Sequence, residues 1–128
     1  MATGIPAVTG TVLSAEMFNN LVAFTITTNS SATITTANSD LYQVMTQTSN
    51  ASTKTVTIAP DSTMTEAVVG SALTFINTGA GLLTFAAGSG VIITSAGATS
   101  AAPTLATHKV AQAIRVAANT YRIYGAIG

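Results

Sequence analysis

The chain has 128 residues, of which 48% are hydrophobic and only 6% are charged, and its formal net charge at pH 7 is zero. Soluble domains carry about 25% charged residues, so this surface offers little repulsion between copies. The chain has no cysteine, which excludes disulfides and thiolate metal sites. Its four basic residues are scattered, and no apolar run reaches the ~20 residues of a membrane span, which argues against nucleic-acid and membrane partners.

The first 23 residues are predicted to form an anchoring unit. Met1–Leu13 places glycine and proline between single apolar residues, a pattern typical of an extended arm and not of a strand of the core. Ser14 is a good N-cap for a short helix over Ala15–Val22. Two helical turns are not stable alone in water, so this helix must pack on its own domain or on a neighbouring chain.

Residues 24–128 are predicted to form a β-domain. Phe24–Thr36 repeats Thr-Ile-Thr-Thr around an Asn-Ser-Ser turn, and Leu41–Thr46 resumes the strand pattern. Thr53–Ala59 alternates cleanly between apolar and threonine positions. The pattern predicts short strands whose outward faces are rich in threonine.

The stretch Ala72–Thr94 has the longest β pattern and is read as three strands separated by two glycine turns. Gly79-Ala80-Gly81 and Gly88-Ser89-Gly90 are expected to supply the positive φ angles of tight hairpins. Two more strands, Lys109–Val116 and Thr120–Tyr124, are expected around a turn at Asn119. Seven to nine short strands at this spacing predict an all-β, antiparallel sandwich or barrel-like domain.

The residue types needed for catalysis are sparse. His108 is the only histidine, and Glu16, Asp40, Asp61 and Glu66 are isolated in the sequence. The two Gly-x-Gly segments do not open helices, so they do not fit phosphate loops. We therefore expect no catalytic residue, no metal, no cofactor and no enzymatic activity.

Several segments resemble a β-domain of bacteriophage virion proteins. They are Thr55–Pro60, Val69–Gly81, Thr84–Val91 and Ile114–Tyr121, and the opening Thr9–Leu21 is similar to the start of short phage structural proteins. The resemblance implies a particle component that forms homotrimers and lies on the capsid exterior or in a tail appendage. Because the chain has no sequence that could form a fibre shaft, we expect a capsid decoration (cement) protein, assembled in the host cytoplasm and bound to the major capsid protein.

The apolar residues of the arm and helix are the candidate anchors to the capsid or to a sister subunit. They are Ile5, Val8, Val12, Leu13, Met17, Phe18 and Leu21. The alternative role for these side chains is to cap the core of their own domain.

Two other functions compete with decoration. A tail appendage that attaches to the host and binds carbohydrate would need exposed aromatic residues, for which the sequence offers only Tyr42, Tyr121 and Tyr124. An ice-binding face is suggested by the Thr-x-Thr motifs, but such a face needs a regular ladder. The motifs recur at irregular intervals, which favours ordinary solvent-facing strand residues.

Overall fold

The computed structural model describes Ala15, residues 23–95 and residues 102–128. Within these residues the regular structure is ten β-strands and one 3₁₀ turn, Asn38–Asp40. The strands are β1 (Thr25–Asn29), β2 (Thr33–Thr35), β3 (Val44–Thr48), β4 (Lys54–Ile58), β5 (Ala72–Asn77), β6 (Leu83–Ala87), β7 (Ile92–Ser95), β8 (Thr104–Leu105), β9 (Val110–Ala117) and β10 (Thr120–Gly125).

The strands form two sheets that share one core. The six-stranded sheet has the order β1-β3-β5-β9-β10-β7, and the four-stranded sheet has the order β2-β4-β6-β8. Both sheets combine parallel and antiparallel pairs. The predicted all-β sandwich is confirmed.

The first six strands alternate between the two sheets and form a short coil. Each turn of the coil, here called a rung, contributes one strand to each sheet: β1 and β2, then β3 and β4, then β5 and β6. Neighbouring rungs pair in parallel, for example Thr25 opposite Val44 and Thr55 opposite Thr84. The chain therefore stacks consecutive rungs on one another.

The last strands close one end of the coil. Strand β9 pairs antiparallel with β5, β10 pairs antiparallel with β9, and β7 lies parallel on the far side of β10. Asn119 lies in the tight turn between β9 and β10 with a φ of 49°, a left-handed conformation that asparagine tolerates. The predicted hairpin at this turn is confirmed.

The expected direction of the central strands needs correction. Five strand pairs are parallel, and the two glycine turns do not form hairpins. The turn at Gly79 and Gly81 carries the chain from β5 in one sheet to β6 in the other. Neither glycine has a positive φ. A Cβ on Gly79 would lie 2.1 Å from the carbonyl oxygen of Asn50 and one on Gly81 would lie 1.8 Å from that of Ser52, so these glycines permit close stacking of successive turns.

The predicted strand Leu41–Thr46 is shifted, since β3 begins at Val44. Tyr42 has a φ of 67° and interrupts the extended backbone. Its hydroxyl donates a hydrogen bond to the carbonyl of Glu66 at 2.6 Å. This contact holds the start of the second rung against the loop between β4 and β5.

The core lies between the sheets and follows the two-residue period of the strands. In β4, Val56 and Ile58 are fully buried while Thr55 and Thr57 point outward. Phe75 from the six-stranded sheet meets Phe85 from the four-stranded sheet edge-to-face, with ring centroids 5.7 Å apart. Such aromatic contacts stabilise a core beyond the area they bury. The two sheets are thus joined by one continuous apolar layer.

Candidate assembly surface

The seven predicted anchoring residues, Ile5, Val8, Val12, Leu13, Met17, Phe18 and Leu21, lie outside the described residues. Of the predicted helix only Ala15 is described, and it is helical and exposed. The docking role of these residues and the division of the chain at residue 23 therefore stay predictions.

An apolar surface covers the outward side of the six-stranded sheet. Its apolar residues, here called the apolar face, are Ile26, Met45, Ile76, Ile92, Val110, Ile114, Val116 and Tyr124. Ile26 and Ile92 retain 53% and 58% of their surface, which is unusual for isoleucine. Val110, Val116 and Tyr124 are also exposed, whereas Met45, Ile76 and Ile114 are partly covered.

Three side chains on the outward side of the six-stranded sheet are joined by hydrogen bonds in a row. Thr74, Gln112 and Tyr124 lie on adjacent strands β5, β9 and β10. The Gln112 amide nitrogen donates to the Thr74 hydroxyl at 2.9 Å, and the Tyr124 hydroxyl donates to the Gln112 amide oxygen. Among the outward strand positions that the structure describes on this sheet, Arg122 is the one charged residue. The polar groups of this row bond to each other, and the outward strand positions carry one charge.

The outward side of the four-stranded sheet carries a ladder of threonines. Thr33, Thr55, Thr84 and Thr104 lie side by side on β2, β4, β6 and β8. A second, shorter row consists of Thr35, Thr57 and Ala86. The prediction that these motifs form no regular ladder is therefore wrong, because connections of different length still bring the strands into register.

The three tyrosines do not form an exposed aromatic shelf. Tyr121 is fully buried and Tyr42 is half-buried, whereas Tyr124 lies exposed on the apolar face. The sequence contains no tryptophan. The feature that would favour carbohydrate recognition is absent from these three positions.

Two aspartates, Asp40 and Asp61, have pKa values that their structural surroundings shift. The hydrogen bond from Arg115 holds the pKa of Asp61 below its ordinary value, whereas burial raises that of Asp40. His108 is exposed in a turn. Within residues 23–95 and 102–128, no three histidine or acidic side chains lie close enough together to hold a metal ion.

Strand β1 forms one edge of the six-stranded sheet, and Ile26 of the apolar face lies on it. Sequence reasoning missed the apolar face because periodicity shows which residues share a side of a strand but not which strands are neighbours. The repeated Thr-x-Thr motifs at Thr33 and Thr55 were the available indication of stacked rungs.

No protein-family model, curated protein or solved structure matches the chain. Among the described residues, no helix is both long and apolar enough to cross a membrane.

Proposed function

We propose that this protein is a structural component of a bacteriophage particle, and specifically a homotrimeric decoration protein that binds the capsid exterior. The sequence resemblance to phage virion β-domains supports the class of protein. The observation that carries the assembly role is the apolar face, where Ile26, Val110 and Tyr124 remain exposed on a sheet with few charges. Interfaces that persist are depleted of charge and enriched in apolar and aromatic side chains at their centre.

The apolar face suits contact with protein better than the threonine ladder does. Threonine is under-represented among the residues that dominate binding energy, whereas aromatic residues are enriched. We therefore assign the trimer contact to the apolar face, and contact with the major capsid protein to the N-terminal arm and helix. Three weak anchors on one trimer act at high effective concentration, which is the physical basis for holding neighbouring capsomers together.

The trimer contact is tested with a charge placed on either sheet. Val110→Asp puts a carboxylate in the apolar face, and Thr57→Asp puts one on the outward side of the four-stranded sheet. Sedimentation-velocity analysis is expected to show trimers for the native chain and for Thr57→Asp, but monomers for Val110→Asp. Equal behaviour of both variants would contradict the assignment, provided circular dichroism shows both to be folded.

The capsid role is tested on the particle itself. A density map of the phage that encodes the chain is expected to show the β-domain on the outer surface of the shell. Deleting Met1–Leu21 is expected to leave folded trimers that no longer bind particles. Density on the tail would replace decoration by the tail-appendage function, and full binding by the deleted chain would remove the anchoring role from the arm.

A further inference from the structure

Two buried polar side chains, one from each sheet, meet at the carbonyl of Gly81. Lys54 is the first residue of β4 in the four-stranded sheet, and Asn77 is the last residue of β5 in the six-stranded sheet. Neither is more than 1% exposed. The Lys54 Nζ donates to the Gly81 carbonyl at 2.7 Å, and the Asn77 Nδ2 donates to the same oxygen at 2.8 Å. The two nitrogens are therefore no farther apart than these two hydrogen bonds laid end to end.

The side-chain carbonyl of Asn77 lies among hydrogen-bond donors. Its Oδ1 accepts the backbone amide of Gly79 at 3.1 Å, and the Thr48 hydroxyl lies 3.5 Å from it. The second Nδ2 hydrogen is donated to the Leu105 carbonyl at 2.9 Å, which fixes the orientation of the amide. Donors aimed at a carbonyl oxygen stabilise the negative charge that develops when a nucleophile adds to the carbon. The Asn77 Cγ is thus a polarised electrophile beside a lysine.

Lys54 has the surroundings of a nucleophile. The acceptors of its ammonium, the carbonyls of Asn50 and Gly81, are neutral. Burial lowers the pKa of Lys54, which raises the fraction of neutral amine, the form that attacks a carbonyl. Converting this amine into an amide would remove a buried charge and would leave the carbonyls of Asn50 and Leu105 without these donors. Burying an ion costs more than losing neutral hydrogen bonds, so the exchange favours the amide.

We propose that Lys54 and Asn77 form an intramolecular amide bond in the folded chain. The Lys54 Nζ adds to the Asn77 Cγ, the bond between Cγ and Nδ2 breaks, and Nδ2 leaves. The lysine nitrogen loses two protons and the departing nitrogen gains two. The products are a secondary amide and an ammonium ion, and no other reactant is consumed.

The bond would join the two sheets covalently through the core. A crosslink between distant positions stabilises a fold mainly by restricting the unfolded chain, as a disulfide does. The chain contains no cysteine, so an amide crosslink would supply a restraint that disulfides cannot supply here. The pair that the structure shows is unreacted, and any effect of the Lys54 ammonium on the pH dependence of stability belongs to that form.

Mass spectrometry of the full, denatured chain tests the bond. The native chain is expected to weigh less than its sequence by one molecule of ammonia, and the loss should accumulate faster at alkaline pH because the neutral amine is the nucleophile. Cleavage after Glu66, which lies between the two residues in the sequence, should leave the two fragments joined. Lys54→Arg is the matched control, since it keeps the positive charge without the reactive amine. It is expected to retain its full mass and to release separate fragments.

Three outcomes would overturn the proposal. The first is a native chain that keeps its full sequence mass after prolonged incubation at alkaline pH. The second is separation of the native fragments after cleavage at Glu66. The third is an equal loss of ammonia in Lys54→Arg, which would assign the loss to an asparagine that cyclises onto its own backbone. The first two are measured on the native chain and hold even where Lys54→Arg folds poorly. No particle is involved, so none of these results bears on the virion role.

Discussion

The ammonium group of Lys54 donates a hydrogen bond to the carbonyl of Gly81 at 2.7 Å, although Lys54 is only 1% exposed. The same ammonium donates to the carbonyl of Asn50, also at 2.7 Å. These carbonyls lie in the turns of successive rungs. A buried lysine thus ties two turns of the coil together, and burial lowers its pKa below the ordinary 10.5.

Lys54 is expected to make stability increase with pH in the alkaline range. Because its pKa is lowered in the folded state, the unfolded chain binds more protons between that lowered value and 10.5, and the free energy of unfolding rises with pH there. Lys54→Met is expected to remove this slope. Urea unfolding at several pH values measures it, and an equal slope in the variant would contradict the prediction.

Tyr121→Phe is expected to leave stability unchanged or to raise it by up to about 1 kcal/mol. The Tyr121 hydroxyl is buried without a hydrogen-bond partner. Removing it therefore breaks no hydrogen bond and eliminates a buried polar group that has lost its contact with water. Tyr42→Phe is the control, because that hydroxyl donates to the Glu66 carbonyl at 2.6 Å, and it is expected to cost about 1 kcal/mol. Chemical unfolding of both variants measures their free energies of unfolding, and Tyr121→Phe should be the more stable of the two.

Asp61 and Arg115 are expected to contribute stability that is lost in acid. Two hydrogen bonds of 3.1 Å and 2.7 Å join the guanidinium to the carboxylate and fasten the loop after β4 to strand β9. Because the pKa of Asp61 is lowered, this contribution is present above 3.8 and disappears as pH falls through the native value.

Asp61→Asn measures that contribution. Since both side chains are partly exposed, the expected cost at pH 7 is about 1 kcal/mol. The difference in unfolding free energy between native chain and variant should shrink on acidification. A difference independent of pH would show that the lost contact is not ionic.

Gly81→Ala is expected to be among the most damaging single substitutions, with a cost of about 3 kcal/mol or more. The new Cβ would lie 1.8 Å from the carbonyl oxygen of Ser52, in the turn between β3 and β4 of the preceding rung. Gly70→Ala is the control, since Gly70 has a φ of 93° but no atom within 4 Å of the added Cβ. It is expected to cost about 1–2 kcal/mol from backbone strain alone. Thermal and urea unfolding compare the two.

The sequence predicted the strands better than their partners. Alternation placed Leu73 and Phe75 on the buried side of β5, as observed, because the two-residue period is a local property. The parallel rungs were missed because glycine in a turn indicates either a positive φ or close backbone approach, and Gly79 requires the second. The threonine ladder was missed because register between Thr33 and Thr55 depends on non-local pairing.

The candidate assembly surface was less predictable. Ile26 and Tyr124 are separated by almost the whole β-domain in sequence, and only the sheet order places both on one side of the molecule. The expected anchors in the arm followed from apolar residues alone, and nothing in residues 23–95 or 102–128 tests them.

The unequal spacing of the rungs predicts where the chain accepts extra residues. Paired positions are 19 residues apart between β1 and β3 and 29 apart between β3 and β5, yet both pairs remain in register. The additional length is taken up in the connections, one of which exposes Val68 and Val69. Extra residues in this connection should be tolerated only outside the turn that ends it, because the Ser71 amide donates to the Val68 carbonyl at 2.9 Å and the Gly70 amide donates to the carbonyl of Arg115 on β9 at 2.8 Å.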